Sequence, residues 1–113
     1  MHVTVRKHDD IVILDLKGRL VAGLGDEILR ESMNELLAEN WKKILLNLSG
    51  VSHVDSAGVG ELVASLRTAR KFEARVKVLN LGEKVRASLH LSELLPLFEV
   101  YDDESSAFSA FVA

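Results

Sequence analysis

The residues best suited to chemistry lie together at residues 54–60, whose sequence is Val-Asp-Ser-Ala-Gly-Val-Gly. Ser56 carries the hydroxyl of this segment and directly follows Asp55. At the start of a predicted helix, a serine hydroxyl can cap the helix, which contributes about 1 kcal/mol. It can also carry a phosphoryl group, because the free N–H groups and the dipole of a helix N-terminus favour an anion.

Gly58 and Gly60 fall in the first turn of the same predicted helix. Each glycine costs up to about 1 kcal/mol relative to alanine in a helix interior. The two glycines therefore lower the stability of the helix, and helix stability does not explain their presence. A backbone without side chains lets another surface approach closely. The spacing therefore predicts a binding surface here, where a partner protein or its nucleotide contacts the backbone.

The serine does not match the pattern of a hydrolase. Ser56 lies in Asp-Ser-Ala-Gly rather than in a Gly-x-Ser-x-Gly nucleophile elbow. The histidines show neither triad nor metal-ligand spacing, and no glycine is followed by Lys-Ser or Lys-Thr, as a phosphate-binding loop requires. We predict no catalytic activity, no metal and no cofactor. The histidines are His2, His8, His53 and His90.

Asp9 and Asp10 invite comparison with a two-component receiver domain, in which an acidic pair follows the first strand and a third aspartate ends a later strand. Here the later predicted strands end at residues 47–48 and 79–80, which are Asn and Leu. The aspartyl site of a receiver is therefore missing. We interpret Asp9-Asp10 as a hairpin turn.

The apolar spacing predicts alternating strands and helices. In order, these are strands around residues 3–5 and at 11–16, a helix from Asp26 as N-cap to Asn40, a strand at 43–48, a helix from Ser56 to about 72, a strand at 75–79, a helix at 84–91, a strand at 97–101, and a helix at 103–112 with Phe108 and Phe111 inward. This order is typical of an α/β fold with a mixed, largely parallel sheet, whose first two strands pair antiparallel.

The composition fits a single domain over residues 1–113. The chain is 48% hydrophobic and 27% charged, and it has no cysteine, which excludes disulfides and thiolate metal sites. The net charge is -3, with scattered basic residues, so we expect no direct contact with nucleic acid. Neither a secretory signal nor a membrane-spanning stretch is present. We expect a cytoplasmic protein without membrane contact.

The chain resembles the STAS domains of bacterial anti-sigma-factor antagonists. The resemblance rests on residues 54–60 after the strand at 44–48, and extends to the strand ends at residues 16–20 and 76–80. In this family the motif is Asp-Ser, a small residue, Gly, an aliphatic residue and often Gly. Two positions differ. Ala57 stands where many members have Ser or Thr, which leaves one hydroxyl, and Val21 stands where many carry an acidic residue.

The resemblance implies a STAS-like fold and a partner switch. An anti-sigma factor that is also a serine kinase would phosphorylate Ser56; the unmodified protein binds this kinase, the phosphorylated form releases it, and a serine phosphatase resets the system. The alternative within the family is a scaffold or transport-linked subunit whose serine is never phosphorylated. Both interpretations are compatible with a monomer or with a weak dimer. The implied partner-binding residues are Val21, Gly23, Leu24, Asp55, Ser56, Ala57, Gly58, Val59 and Gly60.

Overall fold

A computed structural model of the chain describes residues 1–112. Its strands are β1 (His2–His8), β2 (Ile11–Leu20), β3 (Lys43–Val54), β4 (Arg75–Leu79) and β5 (Val100–Tyr101). Its helices are α1 (Gly25–Ala38), α2 (Ser56–Lys71), α3 (Glu83–Leu91) and α4 (Glu104–Val112), with a short 3-10 turn at Leu95–Leu97. The predicted order of strands and helices is confirmed.

The five strands form one mixed sheet in the order β1-β2-β3-β4-β5. β1 and β2 are antiparallel, and the remaining neighbours are parallel. Asp9 and Asp10 form the turn between the first two strands, and Asp9 adopts a left-handed φ of 53°. Parallel neighbours need crossover connections, which α1, α2 and α3 supply. The mixed α/β sheet predicted from the sequence is confirmed.

The two faces of the sheet are covered unequally. The larger apolar cluster packs the sheet against α1, α2 and α3, and its most enclosed members include Leu14, Leu29, Ile44 and Leu62. The smaller cluster lies under α4 and consists of Ile11, Ile13, Leu45, Leu79, Ala107 and Phe111. Phe111 is 1% exposed, as predicted, whereas Phe108 is half-buried and stacks on His8 with the ring centroids 4.1 Å apart.

A charged cluster continues the smaller core toward the carboxyl ends of β2 and β3. The Arg6 guanidinium donates to Asp15, with Nη2 2.9 Å from Oδ1, and also to Glu104 of α4. Asn47 Nδ2 donates to Asp15 Oδ1 at 2.7 Å. Arg6 first, and then Asn47, holds the pKa of Asp15 below its ordinary value. The cluster joins β1, β2 and β3 to α4.

Three strand ends differ from the prediction. β2 and β3 run on to Leu20 and Val54, because their polar ends pair with each other across register shifts near Lys17 and Gly18. The last strand is shorter than the predicted 97–101, since residues 95–97 form the 3-10 turn. Pro96 lies within this turn, where its missing N–H costs no ladder hydrogen bond.

Candidate functional site

The segment singled out in the sequence connects β3 to α2 at the carboxyl edge of the sheet. Ser56 is the first residue of α2, and the preceding Asp55 is the N-cap in an extended conformation. The Gly58 N–H donates to Asp55 Oδ1 at 2.9 Å. Ser56 therefore lies beside the cap, as predicted, but the side chain that caps the helix is that of Asp55.

Asp55 also joins the start of α2 to the loop between β2 and α1. The Ala22 N–H donates to Asp55 Oδ2 at 3.0 Å, and the backbone N–H of Asp55 donates to the Leu20 carbonyl at 3.4 Å. The N–H groups of Ala22 and then Gly58 lower the pKa of the Asp55 carboxyl. Both carboxylate oxygens are thus occupied by backbone of the site itself.

Ser56 is exposed, and within residues 1–112 its hydroxyl forms no hydrogen bond. Because the neighbouring aspartate provides the cap, the serine oxygen is not needed to satisfy the helix N-terminus. The hydroxyl is therefore free for a modifying enzyme or a partner. Ala57 beside it is half-buried.

The two glycines of the first turn differ in their surroundings. A Cβ on Gly58 would lie 2.0 Å from the Leu20 carbonyl oxygen, so this glycine is required by packing inside the protein. Packing inside the protein thus accounts for Gly58, because the position of its missing Cβ faces β2; its contact with a partner stays a prediction. Gly60 is exposed, and a Cβ there would meet nothing within 4 Å. Val59 between them is buried in the larger core.

The loop before α1 lies next to this helix start through the contacts of Asp55. Val21 is half-buried, whereas Gly23 and Leu24 are exposed, with Leu24 50% accessible. The helix begins after Leu24 as N-cap, so the prediction of Asp26 as N-cap is wrong. Asp26 Oδ1 instead accepts the N–H of Gly23 at 2.9 Å and closes the loop, in which Gly23 has a φ of 77°.

The predicted residues therefore divide into two sets. Ser56, Gly60, Gly23 and Leu24 are exposed around the helix start. Asp55 and Gly58 hold the backbone beneath them. No local pattern indicates the part played by Leu20 and Ala22, since their contacts with residues 55–58 depend on the pairing of the ends of β2 and β3.

His53 does not interact with Ser56. Its Nδ1 lies 3.0 Å from Ser52 Oγ, and Ser52 also donates to the Gly18 carbonyl at 3.2 Å. Within residues 1–112 no three His, Asp or Glu side chains are grouped so that they could hold a metal ion. In the same range, each helix is too short or too polar to cross a bilayer.

Comparison with known proteins agrees with this architecture. The model of the STAS domain matches residues 2–107. The chain belongs to the STAS family. This STAS chain is similar to the anti-sigma F factor antagonist of Paenibacillus polymyxa, with 20% identity over 109 residues, which cover 96% of this chain and 93% of that protein.

Two solved structures resemble the STAS chain along almost its whole length. A Thermotoga maritima protein, described as a candidate anti-sigma factor antagonist, is 27% identical with a TM-score of 0.86, covering 96% of this chain and 92% of that one. The Bacillus cell fate determinant SpoIIAA, in its phosphorylated form, is 21% identical with a TM-score of 0.72, covering 96% and 99%. The predicted STAS fold is confirmed.

Proposed function

We propose that this STAS protein is an anti-sigma-factor antagonist controlled by phosphorylation of Ser56. Unmodified, it binds an anti-sigma factor that is also a serine kinase, and phosphorylation releases that partner. A serine phosphatase restores the binding form. The protein acts in the cytoplasm as one domain over residues 1–113 and catalyses no reaction itself. The relatives named as anti-sigma factor antagonists support the general role.

The observation that carries the proposal is the exposed hydroxyl of Ser56 at the first position of α2. A kinase must reach this oxygen, and the oxygen must be dispensable to the fold. The exposure of Ser56 supports the first condition, and the helix cap supplied by Asp55 supports the second. The phosphate group would stand at a helix N-terminus, where the dipole favours negative charge.

The proposed contact surface consists of the exposed helix start and the adjacent loop. Leu24 offers an apolar contact, and the backbone at Gly60 carries no side chain and borders open space. Asp55, Ala57, Gly58, Val59 and Val21 support this surface from below or from its margin. Phosphate on Ser56 would add roughly -1.5 to -2 charge at its centre.

Release of the partner then follows from local electrostatics. A charge buried in an interface without a compensating cation costs several kcal/mol, and about 1.4 kcal/mol suffices for a tenfold loss of affinity. Asp55 and Gly58 fix the backbone beneath the serine. Partner exchange therefore requires no refolding of this chain.

The direct test is phosphorylation of the full chain by its anti-sigma factor kinase with ATP, with mass spectrometry to locate the phosphate. We expect one phosphate on Ser56 and none on the Ser56→Ala variant. Ser52→Ala is the matched control, because Ser52 is also exposed but its hydroxyl donates to a carbonyl. Phosphate found only at another residue would remove the central assignment.

A second measurement addresses release. We expect Ser56→Asp to bind the anti-sigma factor at least about tenfold more weakly than the unmodified chain, while Ser56→Ala keeps its affinity. Titration calorimetry with the purified partner measures both. Equal affinities for the two variants would contradict release by charge.

A further inference from the structure

The sheet has one long edge without a neighbour. Among the described residues 1–112, β1 pairs only with β2 and spans seven residues, His2–His8, whereas the opposite edge strand, β5, has two. Every second residue of an edge strand directs its backbone N–H and C=O outward. β1 therefore offers a row of backbone donors and acceptors that could extend the sheet.

The charged side chains that usually protect such an edge are drawn back onto the chain itself. Arg6 is bound to Asp15 and Glu104 on one face of the sheet. On the other face, Lys7 Nζ lies 5.5 Å from the centroid of the Trp41 ring. Lysine and other charges block edge-to-edge pairing when they project from the edge. The charged residues in the sequence of β1 therefore protect this edge less against pairing with another strand than their number suggests.

The central residue of the edge strand is apolar, between Thr4 and Arg6. Val5, the central residue of β1, is 52% exposed. Beside it, between β1 and α1, lies a groove of about 260 Å³. Its lining consists of the apolar Val5, Leu14, Leu36 and Trp41 and the polar Lys7, Ser32, Glu35 and Glu39. A strand added next to β1 would cover the exposed side of Val5 and part of this groove.

We propose that a second copy of the chain occupies this edge, with the two β1 strands antiparallel about a two-fold axis through Val5. This register pairs the whole of His2–His8. It sets Arg6 opposite Thr4 of the second copy, Lys7 opposite Val3, and His2 opposite His8. A centre at Arg6 or at Lys7 would place like charges directly opposite each other, which is unfavourable. The edge is thus self-complementary in the sense that a two-fold interface requires.

The resulting dimer joins two five-stranded sheets into one and depends on protein concentration. Pairing along a single strand buries less surface than a standard interface, so the association is weak. The site at Ser56 follows β3, which is separated from β1 by β2. The start of β1 lies near the loop before α1, since Met1 borders Gly18 and Gly25, but Val5 at the axis is not part of the proposed partner surface. Variants of Val5 and of Ser56 therefore test the two contacts separately.

Sedimentation of the full chain over about a hundredfold range of concentration tests the proposal. We expect reversible dimers for the unmodified chain, and a dissociation constant raised about tenfold or more in Val5→Lys, which places two like charges at the axis. Leu97→Lys is the control, because Leu97 is 54% exposed elsewhere and should leave the dimer unchanged. Circular dichroism verifies that both variants are folded.

The single tryptophan, Trp41, reports on the same contact, because it lines the groove beside Val5. Its emission should shift to shorter wavelength as concentration rises, and this shift should be lost in Val5→Lys. If the chain stays monomeric over the whole range of concentration, the proposal is overturned, and any strand that pairs with this edge must come from a different protein. A dimer unaffected by Val5→Lys would overturn it equally.

The absence of cysteine from the chain allows a geometric test. Directly opposite residues of antiparallel strands have Cβ atoms about 4.5–5.5 Å apart, close to the distance that a disulfide spans. We expect Val5→Cys to form a covalent dimer under mild oxidation and Leu97→Cys to form little. Equal cross-linking of the two variants would show random collision and contradict the register.

Discussion

On the inner side of the first turn of α2, Gly58 lies against the backbone of Leu20, whereas on the outer side Gly60 faces open space. The same division holds for the two residues at the start of the turn. Asp55 uses both carboxylate oxygens to hold the backbone, and the hydroxyl of Ser56 is free. At the start of α2, Asp55 and Gly58 hold the backbone in place. Ser56 and Gly60, close to them in sequence, are exposed.

Among substitutions on the inner and outer sides of this turn, we expect Gly58→Ala to change the stability of the protein most. The added methyl carbon would lie 2.0 Å from the Leu20 oxygen, so strand and helix must move apart. We expect the free energy of unfolding to fall by about 3 kcal/mol or more, at the upper end of overpacking effects. Urea denaturation followed by circular dichroism measures it. Unchanged stability would mean that α2 is not held against β2 at this point.

An intermediate effect is expected from Asp55→Asn. The amide has one acceptor oxygen, so the N–H of Ala22 or of Gly58 would face an NH₂ group instead of an oxygen. We expect a loss of stability smaller than that of Gly58→Ala, together with weaker partner binding, because residue 55 no longer accepts from the N–H groups of Ala22 and Gly58 at the same time. Denaturation and binding measurements on one preparation test both.

The pH dependence of this variant provides its control. The pKa of Asp55 is lower in the folded chain than its ordinary value of 3.8, because the N–H groups of Ala22 and then Gly58 bond the charged form. Its stabilising effect is therefore complete above about pH 4 and is lost as the pH falls through the folded pKa. The difference between the native chain and Asp55→Asn should shrink on acidification. A difference independent of pH would show that the charge is not involved.

The smallest effect on stability is expected from Gly60→Ala, and its sign is opposite. Alanine is favoured over glycine within a helix, and the methyl group meets no neighbour, so the free energy of unfolding should rise by up to about 1 kcal/mol. If a partner approaches the backbone here, its affinity should fall at the same time. Increased stability with unchanged affinity would exclude Gly60 from the contact surface.

The fold could be predicted to the extent that its elements have local patterns. Apolar periodicity predicted the order of strands and helices, and the acidic pair at Asp9 and Asp10 predicted the hairpin. The full lengths of β2 and β3 were missed, because residues 17–20 and 49–54 are polar or glycine-rich and become strands by pairing with each other. Such pairing has no signal within either segment.

The candidate site was predicted in position but not in its internal assignments. Ser56 is at the helix start, as the sequence indicated. Aspartate and serine are both good caps, so their order alone could not decide which one caps α2. The role of Gly58 depends on Leu20, a residue far earlier in the chain whose proximity only the folded sheet reveals.

Any side chain at position 58 would clash with Leu20. This clash limits which substitutions related chains can accept. A lineage can exchange Ser56 without harm to its architecture, but loss of Gly58 would require a compensating change in β2. Gly58 is thus required by the packing of the fold, whereas Ser56 is required only by the regulation proposed above. Chains that retain the former and lack the latter should keep this shape while responding to a different signal.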